Sequence, residues 1–132
     1  MAGELTAKKV LLVDDDRDIL AAMQTVLSEE GAEVLTAQDG NEAIVQAEAK
    51  APDLVVLDMM LPKRSGFLVL EKLKRGKKKS DPPRVIMITG NQGQRHKVYA
   101  ESLGVDTYLN KPFRMERLIE AVRKLLGAPA AT

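Results

Sequence analysis

The 132-residue chain is 45% hydrophobic and 30% charged, the balance of one folded domain with a real core rather than of a disordered segment. Its formal net charge of +1 gives no global attraction to nucleic acid or membrane, so any electrostatic task must be local. The absence of cysteine removes disulfides, thiolate metal sites and a thiol nucleophile, and suits a reducing cytoplasm.

Residues 1–8 read as an N-terminal extension, without an apolar core that could serve as a signal peptide. No apolar run in the chain reaches the length needed to span a bilayer. The domain is expected over 9–126, followed by a flexible tail over 127–132. Its first strand, 9–13, carries Val10, Leu11, Leu12 and Val13 and runs into Asp14, Asp15 and Asp16. A helix over 17–30 presents Ile19, Leu20, Met23, Val26 and Leu27 on one face, with Asp16 as N-cap and Gly31 as its stop. Residues 33–37 alternate like a strand, and Asp39-Gly40 turns into a helix over 41–50 with Ala43, Ile44 and Ala47 buried.

Pro52-Asp53 opens a third strand, 54–57, whose continuous apolar residues predict burial on both faces; it ends at Asp58. A helix over 65–74 presents Phe67, Leu70 and Leu73. A basic loop and Pro82-Pro83 lead to the strand 84–89, which closes on Thr89. The next helix, 92–103, has the weakest apolar stripe, chiefly Val98, Ala100 and Leu103. A short strand over 107–110 runs into Lys111-Pro112, and a last helix over 114–126 carries Leu118, Ile119, Val122, Leu125 and Leu126.

Five strand–helix units in a row predict an α/β fold with a doubly wound, five-stranded parallel sheet. Right-handed crossovers favour the order 2-1-3-4-5, with the ligand crevice at the carboxyl ends of strands one and three. Asp14, Asp15 and Asp58 would flank that crevice. Carboxylates held close repel unless a cation shares the site. Oxygen ligands without a second histidine or a cysteine point to Mg2+, which takes few carboxylates and accepts phosphate oxygens. A carboxylate there can also attack phosphorus, and Asp58, which follows a strand expected to be buried on both faces, is the best placed. Lys111 would meet phosphoryl oxygens as a point charge and Thr89 would donate its hydroxyl to another.

The runs Leu12-Val13-Asp14-Asp15-Asp16, Leu57-Asp58-Met59-Met60-Leu61-Pro62, Ile88-Thr89-Gly90 and Lys111-Pro112-Phe113, at these intervals, resemble the receiver domain of two-component response regulators. The resemblance covers about residues 8–126 and implies a flavodoxin-like (βα)5 fold. It makes Asp58 the phosphoacceptor, Asp15 a direct Mg2+ ligand, Asp14 a ligand largely through water, and Met60 a donor of its backbone carbonyl. Thr89 and Lys111 would bind the phosphoryl oxygens, and the Lys111–Pro112 bond is cis in the family.

The resemblance also implies a switch. On phosphorylation Thr89 moves toward the phosphoryl group, an aromatic side chain at the position of Tyr108 turns inward, and the surface of the fourth helix, fifth strand and fifth helix changes. Met60 and Asn91 occupy positions that tune phosphoryl lifetime, and methionine cannot position water by hydrogen bonding, so slow dephosphorylation is expected. Gly90 stands where alanine is usual, and Ser65-Gly66 where Asp-Gly is usual, with little effect expected. The donor would be a histidine kinase or a histidine phosphotransfer protein, the location cytoplasmic, and the chain would catalyse only its own phosphorylation and dephosphorylation. The chain would be either a stand-alone regulator acting on an output partner through protein contacts or a piece of a longer protein, and Met1 with the lack of a charged linker after Leu126 leans slightly to the first.

Two rivals use the same residues. A phosphatase of the haloacid dehalogenase type requires an acid two residues after its nucleophile, where this chain has Met60. A degenerate, phosphorylation-independent receiver scaffold would lack part of the acceptor set, and every part is present. The basic stretch Lys72, Lys74, Arg75, Lys77, Lys78, Lys79 and Arg84 has no interleaved aromatic residue for base stacking, so it reads as a solvated loop rather than a nucleic-acid site. His96 stands alone and cannot build a metal site.

Overall fold

A computed structural model describes residues 5–61, 65–90 and 94–126. Ten elements alternate along it: β1 (Lys9–Val13), α1 (Arg17–Glu29), β2 (Glu33–Ala37), α2 (Gly40–Lys50), β3 (Leu54–Asp58), α3 (Gly66–Lys74), β4 (Arg84–Thr89), α4 (Gln94–Ser102), β5 (Thr107–Asn110) and α5 (Met115–Leu125). The strands form one sheet in the order β2-β1-β3-β4-β5, each pair parallel. The expected doubly wound sheet is therefore the observed one.

The strand sequences explain the layering. Along each strand successive side chains take opposite faces, and here both faces are apolar. Leu11, Val13, Val55, Leu57, Val85 and Met87 pack with Ala43, Ile44 and Ala47 of α2, Val69, Leu70 and Leu73 of α3, and Ala100 of α4. Val10, Leu12, Leu54, Val56, Ile86 and Ile88 pack on the other side with Leu20, Met23 and Leu27 of α1 and Leu118 and Val122 of α5. All five residues of β3 are buried, so its last residue, Asp58, is held by the stiffest part of the sheet.

The helix ends obey local chemistry. Asp16 caps α1 by accepting from the N–H groups of Asp18 and Ile19, and Gly31 beyond its end has a φ of 97°. Asp39 caps α2 through the Glu42 N–H, and Ser65 caps α3 through the Leu68 N–H. A serine thus supplies at the start of α3 the cap that an aspartate would.

Three sequence readings need amendment. Leu5, within the stretch read as an extension, is fully buried against the α1–α5 face, and its N–H donates to the Glu30 carbonyl. Val98, placed in the weak apolar stripe of the fourth helix, is 55% exposed; Ala100 is buried and the neighbouring Tyr99 meets Phe67 of α3 edge-to-face at 5.1 Å. Lys74, read as part of a solvated basic loop, is 5% exposed. Its ammonium donates to the carbonyls of Lys79 (3.0 Å), Asp81 (2.7 Å) and Pro83 (3.1 Å), so it gathers the loop between α3 and β4. Burial lowers its pKa, against the pull of Asp106 and Asp81.

Hydrogen bonds from a charged donor are worth about 1.5–3 kcal/mol each, but carbonyls near the surface recover water when the donor leaves. Lys74→Met, which keeps the stem and deletes the ammonium, is therefore expected to destabilise the fold by about 2 kcal/mol. The urea midpoint measures it.

Candidate functional site

Strand register brings the candidate residues to one edge. Val13 of β1 stands opposite Leu57 of β3, so Asp14 and Asp58 are neighbours one step further on. Asp58 is level with Ile88 of β4, which puts Thr89 just beyond it, and Thr89 is level with Asn110 of β5. Lys111 follows, its N–H bonded to the Thr89 carbonyl at 2.7 Å, and the Lys111–Pro112 peptide is cis.

The side chains then meet. Asp14 is fully buried, Asp58 is 4% exposed, and carboxylate oxygens of Asp14, Asp15 and Asp58 lie within 4.8 Å of one another. The Lys111 ammonium donates to Asp58 Oδ2 at 3.1 Å and stands 3.3 Å from Asp14 Oδ2. The two other oxygens are taken up locally: Asp14 Oδ1 accepts from the Asp16 N–H and Asp58 Oδ1 from the Met60 N–H, each at 2.9 Å. Asp14 Oδ2 is buried and, among the described residues, has no hydrogen-bond partner. Its proximity to Lys111 is thus an ion pair without hydrogen-bond geometry.

One ammonium therefore serves two carboxylates, with a third, exposed one beside them. Burial pushes the Asp14 carboxyl above the ordinary range; the Asp16 N–H opposes this, the Asp58 charge adds to it, and Lys111 opposes it. For Lys111 burial works against the charge, but Asp58 and then Asp14 outweigh it and hold its pKa above the usual lysine value. An orphaned buried oxygen, clustered hard donors and a surplus of negative charge suit a divalent cation.

The Asp14 shift has a sign that can be measured. A carboxyl whose folded pKa exceeds its unfolded value binds protons more tightly in the folded state, so its cost to stability falls as pH drops through the raised value. In metal-free protein, Asp14→Asn is expected to be the more stable form at neutral pH. Its advantage over wild type should shrink toward the ordinary carboxylate range, read from denaturation midpoints in chelator.

Thr89 is 6% exposed and its hydroxyl donates to Asn110 Oδ1 at 2.9 Å, not to the acidic cluster. Tyr108, two residues before Asn110, packs partly buried against the core cluster that α2, α3 and α4 cover. Burial, then the Glu101 charge, pushes its phenol up to about 12, against a hydrogen bond with the Glu101 backbone. This ties the β5 tyrosine to α4. Met60 is 67% exposed at the mouth of the crevice. Asn91 lies outside the described residues, as do the tail 127–132 and the side chain of His96.

Two residues at the site escaped sequence reasoning. Asn110 was visible only as the end of a strand, although its place just before Lys111 and level with Thr89 was the available signal. Gly66 begins α3 with its N–H on the Met59 carbonyl at 2.9 Å, and a Cβ there would lie 2.6 Å from both the Asp58 carbonyl oxygen and Met59 Cα. The signal was a glycine directly after an N-cap serine.

Comparison with known proteins agrees with the geometry. Residues 10–123 match the family described as the response regulator receiver domain. The chain is 40% identical over 119 residues to the alkaline phosphatase synthesis transcriptional regulatory protein PhoP of Bacillus subtilis (strain 168), covering 90% of this chain and 48% of that one. It is 41% identical over 123 residues to the probable transcriptional regulator ycf27 of Cyanophora paradoxa, covering 93% and 50%. It thus spans about half the length of these relatives. Among solved structures it resembles a CheY-like response regulator receiver domain protein of Methanospirillum hungatei JF-1, with 33% identity, a TM-score of 0.79, and 92% and 95% of the two chains covered. This chain belongs to the response regulator receiver domain family of two-component systems.

Proposed function

We propose that this receiver accepts a phosphoryl group on the Asp58 carboxylate from the phosphohistidine of a histidine kinase or a histidine phosphotransfer protein. The carrying observation is the Lys111 ammonium between Asp58 and Asp14, beside an Asp14 oxygen that no protein donor satisfies. An Asp58 oxygen forms a bond to phosphorus as the phosphorus–nitrogen bond of the donor breaks, and the electron pair leaves with the imidazole. Asp14, Asp15 and Asp58 with the Met60 carbonyl would hold Mg2+, which when bound would neutralise phosphoryl charge. Asp58 is fixed for attack by the Met60 N–H on its other oxygen. Lys111 turns from the carboxylate to a phosphoryl oxygen, and Thr89 donates to another. In this reading the chain catalyses only its own phosphorylation and dephosphorylation.

The output surface is the α4–β5–α5 face. A groove of about 320 Å³ between β5 and α5 has Tyr108, Arg117, Glu120 and Lys124 in its lining, and α4 exposes Val98 and Tyr99. A partner that binds this face only after phosphorylation would read Thr89 and Tyr108 together. The names of the two relatives describe transcriptional regulators. Direct nucleic-acid binding by the basic stretch is disfavoured, because four of its seven cations are engaged internally and no aromatic residue is interleaved among them for base stacking. Lys74 and Lys77 donate to backbone carbonyls, Arg75 pairs with Glu71 and Arg84 with Asp106. Among the described residues no helix is long and apolar enough to cross a membrane. A cytoplasmic site of action fits the reading.

Acetyl phosphate with Mg2+ tests the proposal. One hydroxylamine-labile phosphoryl group per chain is expected, and a chain that neither takes it up nor binds beryllofluoride is instead a scaffold. The exposed Met60 side chain cannot orient water toward the acyl phosphate, so the phosphorylated form should decay slowly, and Met60→Gln should quicken it. A wild-type half-life of seconds would contradict this.

A further inference from the structure

We propose that Asn110 is a positioning residue that latches Thr89 in the unphosphorylated state and so sets how readily the switch is thrown. The inference rests on the reading of Thr89 as a ligand of the phosphoryl group. A threonine hydroxyl has one proton to donate. Here that proton goes to Asn110 Oδ1 at 2.9 Å, and Thr89 is 6% exposed, so water competes poorly for it. The bond is a product of register rather than chance. Thr89 is the cross-strand partner of Asn110, just as Met87 is of Tyr108, and alternation along the two strands gives both pairs the same face. Asp58 belongs to the adjacent strand and takes its own hydrogen bonds from Met60 and Lys111.

For Thr89 to donate to a phosphoryl oxygen, the Asn110 bond must break. The state competent to bind the phosphoryl group is then only a fraction of the ensemble, and apparent affinity falls by that fraction. Asn110 also lies two residues after Tyr108 on the strand that reports the switch. Release of the latch therefore occurs on β5 itself, beside the tyrosine that contacts α4.

The test deletes the acceptor. Asn110 is exposed and ends an edge strand, so Asn110→Val and Asn110→Ala should both fold. Titrated with beryllofluoride and Mg2+, both are expected to bind about fivefold more tightly than wild type, which is about 1 kcal/mol at 1.4 kcal/mol per tenfold. In a Thr89→Ala background the same substitutions should change nothing, because the latch has lost its bolt. Three-bond couplings to the Thr89 methyl carbon in metal-free protein give a readout independent of ligand. A single rotamer is expected in wild type and averaging in Asn110→Val. Unchanged affinity, an equal gain without Thr89, or an unaltered Thr89 rotamer would overturn the latch. If wild type binds no beryllofluoride the functional reading fails, and the couplings still decide whether Asn110 holds Thr89.

Discussion

Asp58→Asn protein is expected to be folded and to take up phosphoryl groups from acetyl phosphate at least about a hundredfold less than wild type, because an amide is not a competent nucleophile toward phosphorus. The fold should survive because the replacement is nearly isosteric at a position whose environment is already satisfied. The new side-chain oxygen can still accept from the Met60 N–H, as Asp58 Oδ1 does at 2.9 Å. Lys111 loses one of its two carboxylates but keeps Asp14, 3.3 Å away. The strand behind it, buried throughout, owes nothing to the charge. Hydroxylamine-labile phosphate per chain measures the first expectation, and thermal unfolding the second. Retained uptake with the same lability would transfer the acceptor role to Asp14 or Asp15, whose carboxylates share the crevice.

How legible this was in the sequence depends on where each residue's partners lie. The sheet order could be reached because β1, β3 and β4 are apolar on both faces, which only a covered parallel sheet satisfies. Asp14, Asp58, Thr89 and Lys111 follow directly from strand ends, and topology does the rest. Residues whose role comes from distant backbone were not legible. Leu5 is the one branched aliphatic residue of the stretch 1–8, with no period to mark it; its burial comes from α1 and α5. Lys74 looks like its basic neighbours, and only the fold brings three carbonyls around its ammonium. Val98 fitted a weak helical stripe, but α4 is held through Ala100 and the Tyr99–Phe67 pair instead. The Thr89–Asn110 bond needed the β4–β5 register, which a four-residue strand does not fix by pattern alone.

Gly66→Ala should destabilise the domain by about 3 kcal/mol, since an added methyl in a packed site typically costs 1–3 and here its neighbours are backbone. The Cβ would fall 2.6 Å from the Asp58 carbonyl oxygen, 2.6 Å from Met59 Cα and 3.0 Å from the Met59 carbonyl oxygen. No side chain can rotate away to make room. Alanine is the better helix former by about 1 kcal/mol in a helix interior, and less at a first residue such as this, so propensity loses to the clash. Relief requires α3 to move off the end of β3, stretching the bond from the Gly66 N–H to the Met59 carbonyl, now 2.9 Å. That movement acts on the segment carrying Asp58 and the Met60 N–H that orients it. Phosphoryl uptake should therefore fall even at temperatures where the variant is fully folded. The urea midpoint reports the first effect and initial uptake from acetyl phosphate the second. Unchanged stability with full uptake would mean that α3 slides freely on β3, and that the glycine does not set where the acceptor stands.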